Sequence, residues 1–297
     1  MMVLQSTSLS CKHLLRTFSS VKVPTPAWTG YGSAVIARQH AAAVSSTNTR
    51  SFSSDPRVID PNVKSIIESN KSWREKKLKE DADFFKNLGS EHKPEFLYIG
   101  CSDARVAVSD LTGLEIGKLF VHRNIANLVV SSDVNLLSVL TYAIEHLNVK
   151  HILVTGHYDC GGVRAAMKKQ DFGGILDAWL QNIRDVRRLH APELDAIQDD
   201  EERHHRLVEL NIVEQCLNLY KTRPVQKKRL ETHADKTAPF AYPRIHALVF
   251  DPATGILKKL DVSIRKEIDA LHDMYDLYEV DESSTHYMFK KEEPKKE

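Results

Sequence analysis

Two short stretches of this chain, each following an apolar run, carry residue types that can do chemistry. Phe96-Leu97-Tyr98-Ile99 ends at Gly100 and is followed by Cys101-Ser102-Asp103-Ala104-Arg105. His151-Ile152-Leu153-Val154-Thr155 ends at Gly156 and is followed by His157-Tyr158-Asp159-Cys160-Gly161-Gly162. Two thiols and an imidazole form a soft donor set, and zinc takes sulfur and nitrogen at about 2.0–2.3 Å in tetrahedral geometry. His157 and Cys160 are three apart, so one tight turn can aim both at one ion, with Cys101 reaching it from a neighbouring strand. Three protein ligands leave a fourth position open, as in catalytic zinc sites, unless Asp103 fills it.

Such a site needs elements that bring the two stretches together. The apolar runs at 96–99, 118–121, 151–155 and 244–250 read as strands. Residues 256–262 read as the hairpin partner of the last, after Asp251-Pro252-Ala253-Thr254-Gly255. Asp133 is placed to cap a helix with Leu136, Leu137, Leu140, Ile144 and Leu147 at helical spacing, and 204–221 is a second, strongly apolar-faced helix. Strands buried on both faces and separated by helices predict an α/β fold, a mostly parallel sheet flanked by helices. In such sheets ligand sites gather beyond the carboxyl ends of the strands. Residues 61–88 read as two short helices with too little apolar surface for an independent unit, hence as an N-terminal helical arm.

The chain has 297 residues, with 41 Lys and Arg against 40 Asp and Glu, a balance that excludes a generally basic, nucleic-acid-coating protein. No apolar run reaches the length of a membrane span, and four cysteines are too few for a disulfide-stapled scaffold. Charge is unevenly placed. Residues 1–54 contain no Asp or Glu, are rich in Ser and Thr, and carry Lys12, Arg16, Lys22, Arg38 and Arg50. That composition is expected of an organellar transit peptide, and Arg50-Ser51-Phe52-Ser53 and Arg16-Thr17-Phe18-Ser19 resemble mitochondrial processing sites. The expected address is the mitochondrial matrix; the alternatives are another organelle or the cytoplasm. One catalytic domain is expected over 55–280, and 281–297 is a charged C-terminal tail.

Cys-x-Asp-x-Arg followed by His-x-x-Cys-Gly-Gly is the motif pair of the beta-class carbonic anhydrases, and the chain resembles that family from about Asn70 to about Leu277. Leu114-Glu115-Ile116-Gly117, Phe120-Val121-His122-Arg123-Asn124-Ile125-Ala126-Asn127 and Glu209-Leu210-Asn211-Ile212-Val213-Glu214-Gln215 extend the match in order. The branch it resembles is bacterial-like, of proteobacterial type, with an organellar presequence added. The resemblance implies reversible hydration of carbon dioxide to bicarbonate and a proton. It implies one zinc per subunit on Cys101, His157 and Cys160, and a homodimer or tetramer with exchanged N-terminal arms.

The residues fit that chemistry. Zinc lowers the pKa of bound water, but two thiolates formally cancel its charge, so the water should be less acidic than in a three-histidine site. Asp103 and Arg105 can compensate as a charge-assisted pair: Arg105 keeps Asp103 ionised, and Asp103 orients the nucleophile. Backbone amides at Gly161 and Gly162 are expected to bind bicarbonate oxygens at a helix start. The family also implies a closed state with Asp103 as fourth ligand, and a regulatory bicarbonate pocket whose positions match Tyr98, Arg123 and Tyr142, with Tyr98 replacing a Trp. Closure should therefore remain possible with bicarbonate inhibition altered; Arg123 and Tyr142 could equally brace the sheet or a dimer.

Other residues read as structural. Cys11 lies in the presequence, Cys216 reads as a core cysteine, and His122 as a packing or hydrogen-bonding residue in a strand. His204 and His205 read as solvated on a charged helix start, Trp73 and Trp179 as packing anchors, and 227–229 as a solvated basic turn. Asp159 is expected to point out of the zinc shell. Three alternatives stay open: a zinc-binding but inactive relative, a thiol redox protein using Cys101 and Cys160, and a relative acting on carbon disulfide or carbonyl sulfide.

Overall fold

The two apolar runs that precede the donor residues become neighbouring strands. In the computed structural model, residues 59–90, 92–235, 240–262 and a few positions between 266 and 277 are described. The expected presequence at 1–54, with Cys11, and the tail at 281–297 lie outside them. The strands are β1 (Phe96–Cys101), β2 (Leu119–Asn124), β3 (His151–His157), β4 (Arg244–Asp251) and β5 (Ile256–Lys259). They form one sheet in the order β2-β1-β3-β4-β5, parallel except for the antiparallel β4–β5 hairpin. The basic prediction of a mostly parallel sheet flanked by helices therefore holds. The hairpin return is shorter than the expected 256–262, and β2 starts one residue later and runs on through His122, Arg123 and Asn124.

Alternation along β1 sorts side chains between two faces. Leu97 and Ile99, level with Ile152 and Val154 of β3, enter the main core. Tyr98, level with Leu153, enters a smaller cluster with Val108 on the other face. Burial of both faces is why these runs read as continuous apolar stretches.

The chain divides into two units, Met1–Glu68 and Ser69–Glu297. Of the first, residues 59–68 are described; they are exposed and open helix α1 (Pro61–Glu80). In the second, Trp73 meets Phe85 of α2 (Phe84–Ser90) edge to face at 5.6 Å. The expected pair of short helices is thus one of twenty residues and one of seven. After β1 comes α3 (Val108–Thr112), and before β3 comes α4 (Val134–Thr141), continued by a π-helical turn at Tyr142–His146. Asp133 caps α4 by accepting from the amides of Asn135 at 3.0 Å and Leu136 at 3.3 Å.

Between β3 and β4 lie α5 (Gly161–Met167), α6 (Gly174–Leu189), α7 (Ala191–Ala196), α8 (Asp200–Tyr220) and α9 (Arg223–Ala234). The long α8 starts four residues earlier than expected and is buried along most of its length, with Leu207, Ile212, Cys216 and Leu219 in the core. Residues 227–229 correct the expectation of a solvated turn: they lie inside α9. Helix α9 buries only Val225, so it has no apolar stripe to betray it; Pro in its first turn was the available signal. Arg229 donates to the carbonyls of Ala241 and Pro243 at 3.1 and 2.9 Å, which ties α9 to the entry of β4. No helix among the described residues is long and apolar enough to cross a membrane.

Candidate active site

The candidate metal donors sit at the carboxyl ends of two adjacent parallel strands. Cys101 closes β1 and His157 closes β3; Tyr158 and Asp159 then turn the chain so that Cys160 comes back beside them. Asp159 makes the turn at φ +56°, a left-handed conformation that Asp tolerates better than most residues. Cys101 Sγ and Cys160 Sγ are 3.9 Å apart, and the ligand atoms of Cys101, His157 and Cys160 all lie within 4.8 Å of one another. Two thiolates on one tetrahedral zinc, each at about 2.3 Å, stand about 3.8 Å apart.

The imidazole is set for ligation. His157 Nδ1 donates to the Tyr158 carbonyl at 2.9 Å, which leaves the Nε2 lone pair toward the thiols. That Nε2 is buried without a hydrogen-bond partner, as a buried polar atom rarely is. Burial pulls the His157 pKa down, but the nearby Cys101 sulfur, the Tyr158 carbonyl and the Asp103 carboxylate outweigh it and raise the value. Cys160's hydrogen bond lowers the Cys101 pKa, and the same contact with burial raises that of Cys160. Backbone amides also serve the sulfurs, those of Ala126 and Asp103 at Cys101 and those of Gly162 and Val163 at Cys160. Ala126 adopts φ +65°, strain for a residue with a Cβ, at the point where its amide reaches Cys101.

Asp103 stands beside this donor set. Its Oδ2 is 3.8 Å from His157 Nε2. Arg105 holds it with two parallel bonds, Nε to Oδ1 at 3.0 Å and Nη2 to Oδ2 at 2.8 Å, and the Arg105 amide adds a third at 2.9 Å. These bonds keep the Asp103 carboxyl well below the usual carboxylate range. Gly161 opens α5 beside Cys160, and a side chain there would meet nothing within 4 Å. A cavity of about 390 Å³ opens here, walled by Ile125, Ala165, Phe172, Leu176 and Leu180 with Asp103 at its edge. No motif includes Phe172 or Leu176, which reach the cavity from beyond the Gly161-Gly162 pair.

Three expectations need correction. Tyr142 does not join Tyr98 and Arg123. Tyr98 and Arg123, level with Val121 and Gly100, share one face of the sheet, whereas Tyr142 packs at 5.8 Å on Phe120, which is level with Leu97 on the other face. Tyr98 is fully buried with its hydroxyl pushed up to about 12 by burial. Arg123 donates to the carbonyls of Cys101 at 2.7 Å and Asp103 at 2.6 Å, so it braces the loop that carries them. Second, His204 is not solvated. It is fully buried, with Nε2 3.3 Å from the Cys160 carbonyl and Nδ1 3.3 Å from Arg164, and burial lowers its pKa. Third, His205 stacks on Tyr158 at 4.3 Å. Asp159 lies outside the donor set, and His122 and Cys216 are buried as expected. Trp179 donates to the Ile125 carbonyl at 3.0 Å.

The motif at 209–215 supports the site from behind. Asn211 donates to the Ala126 carbonyl at 3.0 Å, and Gln215 accepts from the Val129 amide at 2.7 Å, which fixes the loop whose amide meets Cys101. Glu209 accepts from the Tyr158 hydroxyl at 2.6 Å.

A mostly parallel sheet with a thiol, an imidazole and a second thiol converging at its carboxyl edge defines an α/β protein whose ligand site could hold a metal ion. The carbonic anhydrase family model matches residues 96–257. A carbonic anhydrase of Emericella nidulans is 46% identical over 221 residues, covering 74% of this chain and 93% of that protein. A carbonic anhydrase of Candida albicans is 34% identical and covers 67% of each. Among solved structures, one of two tetrameric beta-carbonic anhydrases of Sordaria macrospora is 36% identical at a TM-score of 0.62, covering 68% of this chain and 98% of that one. The chain belongs to the beta-class carbonic anhydrase family and is an enzyme of that class. All three of these relatives are fungal, and none of them supports the expected proteobacterial-type branch.

Proposed function

We propose that this chain catalyses the reversible hydration of carbon dioxide to bicarbonate and a proton, with one zinc held by Cys101, His157 and Cys160 and with Asp103 and Arg105 orienting the reaction. The observation that carries the reading is the buried, unpartnered His157 Nε2, turned to two thiols at zinc-ligand spacing with an ionised carboxylate 3.8 Å away. When bound, zinc supplies a solvent molecule acidic enough to act as a nucleophile near neutral pH.

The chain's own residues do the rest. Amides at both sulfurs draw off thiolate charge, which counters the loss of acidity that two thiolates cause. Asp103, held ionised by Arg105, is placed to accept a hydrogen bond from the solvent that zinc would activate, and so would fix where its lone pair points. The apolar wall of Ile125, Phe172, Leu176 and Leu180 suits an uncharged, apolar substrate. Of the two glycines proposed to meet bicarbonate, the Gly162 amide already serves Cys160, and Gly161 has the open surroundings. Closure by Asp103 as a fourth ligand is part of the same reading, supported by its nearness to His157.

Stopped-flow hydration of carbon dioxide tests this, run on the zinc-loaded chain beside Cys101→Ser. Turnover that tracks zinc content supports the reading. A zinc-replete chain without hydration activity, or one that acts only on carbon disulfide or carbonyl sulfide, overturns it.

Two further expectations belong to the same proposal. An assembly of two or four copies is supported by exposed apolar side chains at Val121, Val134 and Tyr142 on and near edge strand β2, and light scattering tests it. Mitochondrial import is supported by the acid-free, Ser-rich sequence before Asp55, with removal near Ser53; import into isolated mitochondria with N-terminal sequencing tests it.

A further inference from the structure

We propose that Asp159 is a positioning residue for the hydration reaction, holding the Arg105 guanidinium where Arg105 can hold Asp103. The inference rests on the zinc-and-dyad reading above. Asp159 lies in the turn between two metal donors, yet its carboxylate faces away from them and meets two arginines. Oδ2 accepts from Arg105 Nη1 at 3.0 Å, the Asp159 carbonyl accepts from Arg105 Nη2 at 3.0 Å, and Oδ1 accepts from Arg164 Nη2 at 2.8 Å. Arg105 thus uses one edge of its fork on Asp103 and the other on Asp159.

This double grip has a geometric consequence. Arg105 is half-exposed and has a long side chain, so with Asp103 as its only partner the pair would move together. Asp159 ties the guanidinium to the loop that carries His157 and Cys160. The dyad is then held in register with the metal donors and not merely with its own loop. Behind it, Arg164 is anchored on α8 by Glu201 through two bonds of 2.8 Å and by His204 at 3.3 Å. The order Asp103, Arg105, Asp159, Arg164, Glu201 alternates in charge, so each member has an opposite charge on both sides except at the ends. Sequence reading discounted Asp159 because it is no ligand, and had no means to see Arg164 and Glu201 converge.

Asp159→Asn separates this role from the turn itself, since Asn also tolerates the positive φ while losing the charge. In the full-length zinc enzyme, kcat/KM for hydration is expected to fall about tenfold, the size of one charge-assisted hydrogen bond, with zinc content and melting temperature unchanged. In the cobalt(II)-substituted enzyme, azide affinity read from the visible spectrum is expected to fall about tenfold, as a released Asp103 competes for the fourth position. Adding Asp103→Asn should restore azide affinity. Asp159→Gly, which also accepts positive φ, replaces Asn if that variant folds poorly. Wild-type kcat/KM and azide affinity in Asp159→Asn overturn the proposal, as does an azide defect that persists in the double variant. Full activity of zinc-replete Asp103→Asn alone sinks the underlying dyad reading; a dead Asp103→Asn beside an unaffected Asp159→Asn sinks only the role of Asp159.

Discussion

Arg105 and Asp103, two residues apart on one loop, meet through parallel bonds of 3.0 and 2.8 Å, a bidentate fork in which the carboxylate has little freedom to rotate. The arginine is half-exposed, so as an isolated surface pair this contact is worth about 1 kcal/mol or less to stability. In the proposed reaction its consequence is orientation, not stability.

Removal of a donor should empty the metal site. Cys101→Ser and His157→Ala are each expected to take zinc from about one per chain to near zero and to lower the melting temperature, since the ion binds only the folded state. Metal analysis by mass spectrometry checks this; full zinc in either variant would place the ion elsewhere.

Gly100 is required by Tyr98. A Cβ at position 100 would collide with the Tyr98 ring at Cε1, and that ring is fully buried. Gly100→Ala should cost about 1–3 kcal/mol in urea unfolding. No loss would mean that the ring moves aside without penalty.

Gln215 should matter through the amide it satisfies. Gln215→Leu leaves the Val129 amide without its 2.7 Å acceptor, at an expected cost of about 1–3 kcal/mol in urea unfolding. Because the same network ends on the Ala126 carbonyl, a lowered zinc affinity is expected alongside.

Acid should destabilise the fold through a histidine pair far from the donors. His246 faces His151 at 3.0 Å, and burial first, then His151, pulls its pKa down from 6.5 to about 4. The unfolded chain therefore binds more protons between those values, so stability is present above about pH 6.5 and falls as pH drops toward about 4. His246→Phe should flatten the dependence of melting temperature on pH in that window. An unchanged slope would assign the acid sensitivity to other groups.

Tyr142 should not govern any response to bicarbonate. It sits on the sheet face opposite Tyr98 and Arg123, so Tyr142→Ala is expected to leave the bicarbonate dependence of hydration unchanged within one chain's own geometry. A shifted dependence would require a contribution from the assembled enzyme.

Much of this molecule was legible before the fold was known. The strands at 96–101 and 151–157 announce themselves because both faces are buried, and Asp133 announces its helix because a cap is a local device. Cys101, His157 and Cys160 are readable from residue type and spacing. What stayed hidden depends on distance in sequence or on parity. Arg164, Glu201 and His204 converge from positions 37 to 40 residues apart. The Tyr142 assignment failed because a motif match says nothing about which face a neighbouring helix covers. Helix α9 was missed because a helix that buries one residue carries almost no period.

The most direct test of the account measures zinc content and carbon dioxide hydration per bound zinc in Asp103→Ala. The expected result is full zinc occupancy with kcat/KM lowered about a hundredfold, the effect of losing an orienting group while the donors stay in place. Loss of zinc with unchanged turnover per remaining ion would make Asp103 a ligand instead, and unchanged zinc with unchanged turnover would remove it from the reaction.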